Sequence, residues 1–289
     1  MKRALSTLLA TTALVASVFG AAGSAQAAPP IPAPVDYLAL GDSYPAGVGV
    51  GMTDSYPALL GAKYSQLEVT NKAASGATTA GVVLQIGQAN PTPDAITITV
   101  GANDVGWTTV LGACLTSPTG CNLANSTLGV ALAAVPGGIV TDVAAAQATN
   151  PKAKIFVTGY PELFGSIAPG TTCDLGWTIN PDTGLPVEVQ ANTIQGASVN
   201  ALVDALNLAI QGGVTAAQAQ GAKVTYVDAS PAFTGHRLCD TSTAWLFDFN
   251  TAVAVGNPAA AFHPTVDGQQ AYATTINKAG FRGAVKSAH

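Results

Sequence analysis

Apolar runs of aliphatic and β-branched residues recur at 35–40, 67–70, 95–100, 154–158 and 223–227, each the length of a short strand. Between them the apolar spacing becomes helical. "SYPALLGAKYS" starts at Ser55 and carries Pro57 in what would be a first helical turn. Residues 139–148 are alanine-rich and helical in pattern. Residues 187–211 put Ile194, Val199, Leu202, Val203, Leu206 and Ile210 mostly on one stripe of a long helix. A last helix is predicted over 267–279, after Pro264. Strands alternating with helices imply a mostly parallel sheet covered on both faces. The stretches 101–129 and 160–187 are expected to be loop excursions over the sheet edge.

The beginning of the chain follows a different logic. Lys2 and Arg3 precede an apolar run over 4–18, and Ala25-Gln26-Ala27 is a small-x-small exit. That order predicts a secretory signal peptide over 1–27, cleaved after Ala27. A proline-rich lead-in over 28–34 and one domain over 35–289 follow. Every later apolar run is interrupted by Gly or Pro before it reaches spanning length, so an exported, soluble protein is expected, without stable membrane insertion.

Composition narrows the partners. Only 9% of residues are charged and 48% are hydrophobic, which excludes a disordered chain. Losing Lys2 and Arg3 takes the formal charge from −5 to −7 and leaves no basic cluster, so nucleic acid is not an expected partner. Oligomeric state is not legible. The four cysteines, Cys114, Cys121, Cys173 and Cys239, allow three pairings. Cys114 and Cys121 flank the turn-rich "LTSPTG", which makes them the natural first bridge, and Cys173–Cys239 would then join two long loops. Zinc is the competing reading, but there is no Cys-x-x-Cys pair and His is scarce. Structural disulfides are expected, with no metal and no cofactor.

Chemistry-bearing residues gather after the predicted strands. "GDSY" follows the first, "ASGATT" the second and "GANDVGW" the third, so all three land on the carboxyl rim where open α/β sheets bind ligands. Ser43 needs a base to become a nucleophile. Of His236, His263 and His289, the last is terminal and His236 sits in "GHRLCD", beside an expected disulfide, where local bonding suits it. His263, in "FHPTVDGQQ" just ahead of the final helix, can reach the rim. Gly76 offers an unobstructed backbone N–H and Asn103 a side-chain amide to a developing oxyanion. Asp42 and Asp104 are expected to hold their loops through backbone hydrogen bonds.

These blocks, in this order, resemble the SGNH hydrolases, the GDSL esterase/lipase superfamily; "GYPELFG" and "HRLCD" further resemble its secreted actinobacterial esterases. The resemblance implies a three-layer α/β/α sandwich with a flavodoxin-like sheet. It also implies a secreted esterase/lipase acting through an acyl-enzyme. Ser43 would be the nucleophile and His263 the base. Ser43 N–H, Gly76 N–H and the Asn103 side chain would form the oxyanion hole. The superfamily usually has an Asp three residues before the histidine; Ala260 stands there, so its backbone carbonyl is expected to orient His263, with Asp240 or Asp248 as the alternative. Relatives often carry a cysteine at the place of Ala74, bridged to the loop after the nucleophile, and both halves are absent here. The substrate class stays open among lipids, short-chain esters and acetylated glycans. "GVGVG" is not a nucleotide loop, because it does not open a helix directly after the strand. The remaining alternative is a non-catalytic glycan- or lipid-binding module on the same fold.

Overall fold

The computed structural model describes residues 34–89, 92–179 and 183–287. The expected leader over 1–27, the lead-in up to residue 33 and His289 lie outside the described residues.

All five apolar runs form strands of one parallel sheet. They are β1 (Val35–Gly41), β2 (Leu67–Asn71), β3 (Ala95–Thr99), β4 (Lys154–Thr158) and, after two strands of a separate hairpin, β7 (Val224–Val227). Their spatial order is β2-β1-β3-β4-β7, every pair parallel, as in flavodoxin-like sheets. The helices are α1 (Ser43–Ala46), α2 (Tyr56–Lys63), α3 (Thr79–Gly87), α4 (Trp107–Thr116), α5 (Ser126–Thr149), α6 (Thr193–Ala219), α7 (Ser230–Phe233), α8 (Phe249–Ala254), α9 (Val266–Ile276) and α10 (Arg282–Ser287). α3, α5 and α6 pack side by side, while α2 packs on α9 elsewhere, giving the expected helices-around-sheet architecture.

β3 is buried at every position although it reads Ala-Ile-Thr-Ile-Thr. Its isoleucines join the core. Thr97 is satisfied by the Tyr37 hydroxyl at 2.8 Å, and Thr99 by Tyr56 and Thr158 at 2.8 and 2.7 Å. A buried hydroxyl that finds such a partner avoids the penalty of an unpaired polar group. One face of the central strand is thus a hydrogen-bonded hydroxyl seam.

Three expectations are corrected. The long helix begins at Thr193, not 187, because Asn192 and Gln195 form a reciprocal cap there: Asn192 Oδ1 accepts from the Gln195 N–H at 2.9 Å and Gln195 Oε1 from the Asn192 N–H at 2.8 Å. Residues 187–192 instead belong to β6 (Pro186–Asn192), paired antiparallel with β5 (Thr172–Ile179) in a hairpin within the supposed loop. The helix expected over 139–148 is much longer, since Asn125 Oδ1 caps the Thr127 and Leu128 N–H groups and starts α5 at Ser126. By length and composition α5 could cross a membrane. It contains Pro136, however, and packs on α3 and α6, with Gly138 so close to Thr79 that a Cβ there would lie 2.4 Å from its hydroxyl oxygen. Both expected disulfides, Cys114–Cys121 and Cys173–Cys239, are formed.

α5 also buries Asp142, whose carboxylate oxygens have no hydrogen-bond partner among the described residues. Burial, and secondarily the charge of Asp104, raises this carboxyl from 3.8 to about 8. Above its ordinary pKa the unfolded chain releases this proton while the folded chain keeps it, so the group makes stability fall as pH rises through that window. Asp142→Asn is expected to remove the loss, its stability gain growing by up to about 1.4 kcal/mol per pH unit between about pH 4 and pH 8. Denaturant melts across that range test this; an unchanged pH slope would refute it.

Candidate active site

β1 ends at Gly41, where φ is +126° and a Cβ would sit 2.0 Å from the Thr99 carbonyl oxygen, so only glycine fits. The Gln85 amide clamps both sides of Gly41, accepting from its N–H and donating to its C=O, each at 2.8 Å. Asp42 then caps α1. One oxygen accepts from the Tyr44 N–H at 3.0 Å, and the other accepts from the Tyr160 hydroxyl. Burial pushes this carboxyl up to about 7, against the pull of those two bonds. Ser43 is the first residue of that short helix, and its N–H has no acceptor among the described residues.

His263 arrives from the far end of the chain. Phe262 before it holds φ at +66°, a conformation uncommon for a bulky residue. The turn is fixed from two sides: Phe262 N–H donates to Phe247 O at 2.7 Å, and Phe262 O accepts from the Tyr44 hydroxyl at 3.0 Å. The ring is thereby presented with Nε2 2.7 Å from Ser43 Oγ and Nδ1 3.2 Å from the Ala261 carbonyl. A carbonyl can only accept, which puts the hydrogen on Nδ1 and leaves Nε2 free to accept from the serine.

The hydrogen-bonded carbonyl is one residue beyond the expected third member, although Ala260 also faces the ring. The Ala260 carbonyl accepts from the His263 backbone N–H at 2.8 Å, while the preceding 3₁₀ turn, Pro258–Ala260, closes with the Ala261 N–H on Pro258 O at 3.3 Å. Ala261 O is the bonded partner of Nδ1. Neither carboxylate alternative reaches the ring: Asp240 pairs with Arg237, and Asp248 caps α8 by accepting from the Thr251 N–H at 2.7 Å. Burial lowers the His263 pKa below 6.5, opposed by the facing carbonyls of Ala261, Ala260 and Ala259 in that order. The ring is neutral at neutral pH.

The other two rim segments flank Ser43. Gly76 has φ +83°, and its N–H also lacks an acceptor among the described residues. Asn103 Nδ2 donates to Ala77 O at 2.9 Å, which fixes the amide plane and leaves its second N–H without an acceptor among the described residues. Asp104 holds the segments together, accepting from the Thr79 hydroxyl at 2.7 Å and from its N–H. Asp42 and Asp104 thus brace loops as expected. His236 stacks on Trp245 at 3.8 Å and bonds Thr243 O at 3.0 Å, a local structural role. "GYPELFG" and "HRLCD" meet through paired backbones and the Arg237–Glu162 ion pair.

Sequence reasoning missed three buried side chains that fix this geometry: Gln85, Tyr160 and Gln269. Gln269 accepts from Tyr56 N–H at 2.8 Å and donates to Tyr44 O at 3.0 Å, tying the histidine helix to the serine helix. Its only sequence signal is the Gly-Gln that follows the His-Pro block.

Ser43, Gly76, Asn103 and His263 open onto one cleft of about 530 Å³. Trp107 lines it, and its inner wall is apolar, with Leu111 and Leu115 from α4 facing Val203 and Leu206 from α6. Among the described residues no cluster of His, Cys, Asp and Glu could hold a metal.

Comparison with known proteins gives the family of this fold. Residues 39–271 match the profile of the GDSL-like lipase/acylhydrolase family. A lipase of Streptomyces rimosus is 31% identical over 95% of this chain and 96% of its own. The crystal structure of an extracellular lipase from Streptomyces rimosus superposes with a TM-score of 0.65 at 28% identity, covering 85% of this chain and 99% of that one. A phospholipase A1 from Streptomyces albidoflavus gives 0.65 at 27% identity, covering 86% and 100%.

Proposed function

Because the chain belongs to the GDSL-like lipase/acylhydrolase family and is a carboxylic ester hydrolase, we propose that it works through a Ser43–His263 dyad and an acyl-enzyme. The observation that carries this reading is the 2.7 Å contact between Ser43 Oγ and His263 Nε2 in the lining of the cleft. Ser43 Oγ attacks the ester carbonyl carbon while its proton passes to Nε2. The tetrahedral oxyanion is met by the Ser43 N–H, the Gly76 N–H and the free N–H of Asn103. Collapse expels the alcohol, which takes the proton from Nε2, and water then releases the acid with the same histidine as base. The Ala261 carbonyl holds Nδ1–H throughout, so the tautomer is correct at each step.

The apolar wall formed by α4 and α6 suits an acyl chain better than an acetylated sugar. Similarity to a phospholipase A1 supports phospholipid esters as candidate substrates of the same site. The domain over 35–289 acts as a single catalytic unit, exported by the leader over 1–27. Two disulfides and the extracellular relative support that localisation.

The test is hydrolysis of a p-nitrophenyl ester series from acetyl to palmitoyl, with trapping by a p-nitrophenyl dialkyl phosphate. A single phosphoryl adduct on the Ser43 peptide is expected; labelling elsewhere with loss of activity would refute the assignment. Since only neutral His263 can act as base and burial depresses its pKa, kcat/KM for the butyrate ester should fall in acid with a midpoint below pH 6.5. A midpoint above that value would mean the ring is not held as described.

A further inference from the structure

We infer that the β5–β6 hairpin is the surface by which this enzyme docks on an aggregated, uncharged or zwitterionic lipid layer; the lipid partner rests on the ester-hydrolase reading. The hairpin stands beside the cleft and lends it Thr178 and Ile179. Trp177 and Ile179, two apart on β5, project from the same face and are 53% and 58% exposed. Leu185, next to Pro186 at the turn end of the ladder, is 64% exposed. The apolar surface continues onto α8, which packs on β5: Asn250 Oδ1 accepts from the Trp177 N–H at 3.1 Å, and exposed Val253 lies one helical turn further along. An exposed apolar ridge continuous with the mouth of an acyl cleft is where an ester would leave a lipid layer for the serine.

The hairpin is also braced from behind rather than hanging free. The Cys173–Cys239 bridge fastens β5 to the segment carrying Arg237, and Leu175 and Ala191 are buried beneath it. A ridge held this firmly can enter a lipid layer without first paying to become ordered.

Charge selects the kind of layer. No Lys or Arg occurs between Lys154 and Lys223, and the hairpin's own described charges are Asp174 and Glu188, the latter directly opposite Trp177. The nearby Arg237 is engaged by Glu162 and Asp240. Nothing on this surface attracts anionic headgroups, and its carboxylates repel them.

The experiment uses the Ser43→Ala chain, which leaves lipid intact, with phosphatidylcholine vesicles in flotation and tryptophan fluorescence. Partition onto these vesicles with a blue-shifted emission is expected, and admixed phosphatidylglycerol should weaken it. Adding Trp177→Ser and Leu185→Ser should cut partition at least about tenfold, while Trp177→Phe retains it. In the Ser43-containing protein the same pair should leave p-nitrophenyl butyrate hydrolysis unchanged. The inference is overturned if the paired variant partitions normally, if no vesicle is bound, if binding requires the anionic lipid, or if the pair only changes self-association. Should butyrate hydrolysis be absent while hairpin-dependent partition persists, the catalytic reading fails and the docking surface stands.

Discussion

Replacing Ser43 by alanine is expected to lower kcat on a p-nitrophenyl ester by about 10⁶, the scale seen when a nucleophile–base unit is broken. His263→Ala should cost nearly as much, and the double variant scarcely more than either alone. The reason is that the two residues act as one group: the hydroxyl without the imidazole holds its proton, and the imidazole without the hydroxyl has nothing to activate. Ser43 is almost buried, and its side chain makes one bond, to Nε2, so its truncation leaves the helix cap and the Gly41 clamp in place. Thermal melts should therefore stay near wild type for Ser43→Ala. Initial rates with melts on all three variants decide the matter. Additive losses, or a folded Ser43→Ala protein retaining more than about a hundredth of the rate, would exclude the dyad.

Asn103→Ala is expected to reduce kcat by about 10²–10³ with KM little changed. A donor aimed at the oxyanion acts on charge that exists only in the transition state, so binding of the neutral ester is spared. The bond to Ala77 O orients the amide beforehand, and no reorganisation is needed as the charge forms. Losing that bond should also cost about 1 kcal/mol of stability, a separate quantity read from the melt. If stability falls and kcat does not, Asn103 is only a brace between the Gly76 and Asn103 loops, and the hole is built from the two backbone N–H groups.

The parts of this protein that were legible in its sequence share a physical cause. Inner parallel strands are covered on both faces, so β1, β3 and β4 are buried at nearly every position and stood out as aliphatic and β-branched runs; the edge strands β2 and β7 are only partly buried but carry the same residue types. The rim segments stood out because ligands meet an α/β sheet at strand ends, and Ser43, Gly76 and Asn103 lie in the loops just beyond β1, β2 and β3. The disulfides were legible from an even cysteine count and one short turn-rich loop. The β5–β6 hairpin was not: its bulge between Asp174 and Gly176 breaks the alternation, and Val187 and Val189 fit the helical stripe that begins soon after. Only the Asn192–Gln195 cap separates strand from helix there.

Sequence by itself thus determined the sheet, its order of elements and the serine and histidine proposed as nucleophile and base, because each depends on local pattern or on a residue type that chemistry cannot replace. Tertiary structure alone decided which carbonyl holds the imidazole. Ala259, Ala260 and Ala261 are identical as residues, and Nδ1 bonds Ala261 because the Ala260 carbonyl accepts the His263 backbone N–H and Phe262, locked by Tyr44 and Phe247, aims the ring. Backbone carbonyls carry no side-chain signature, so their roles are written only in the path of the folded chain.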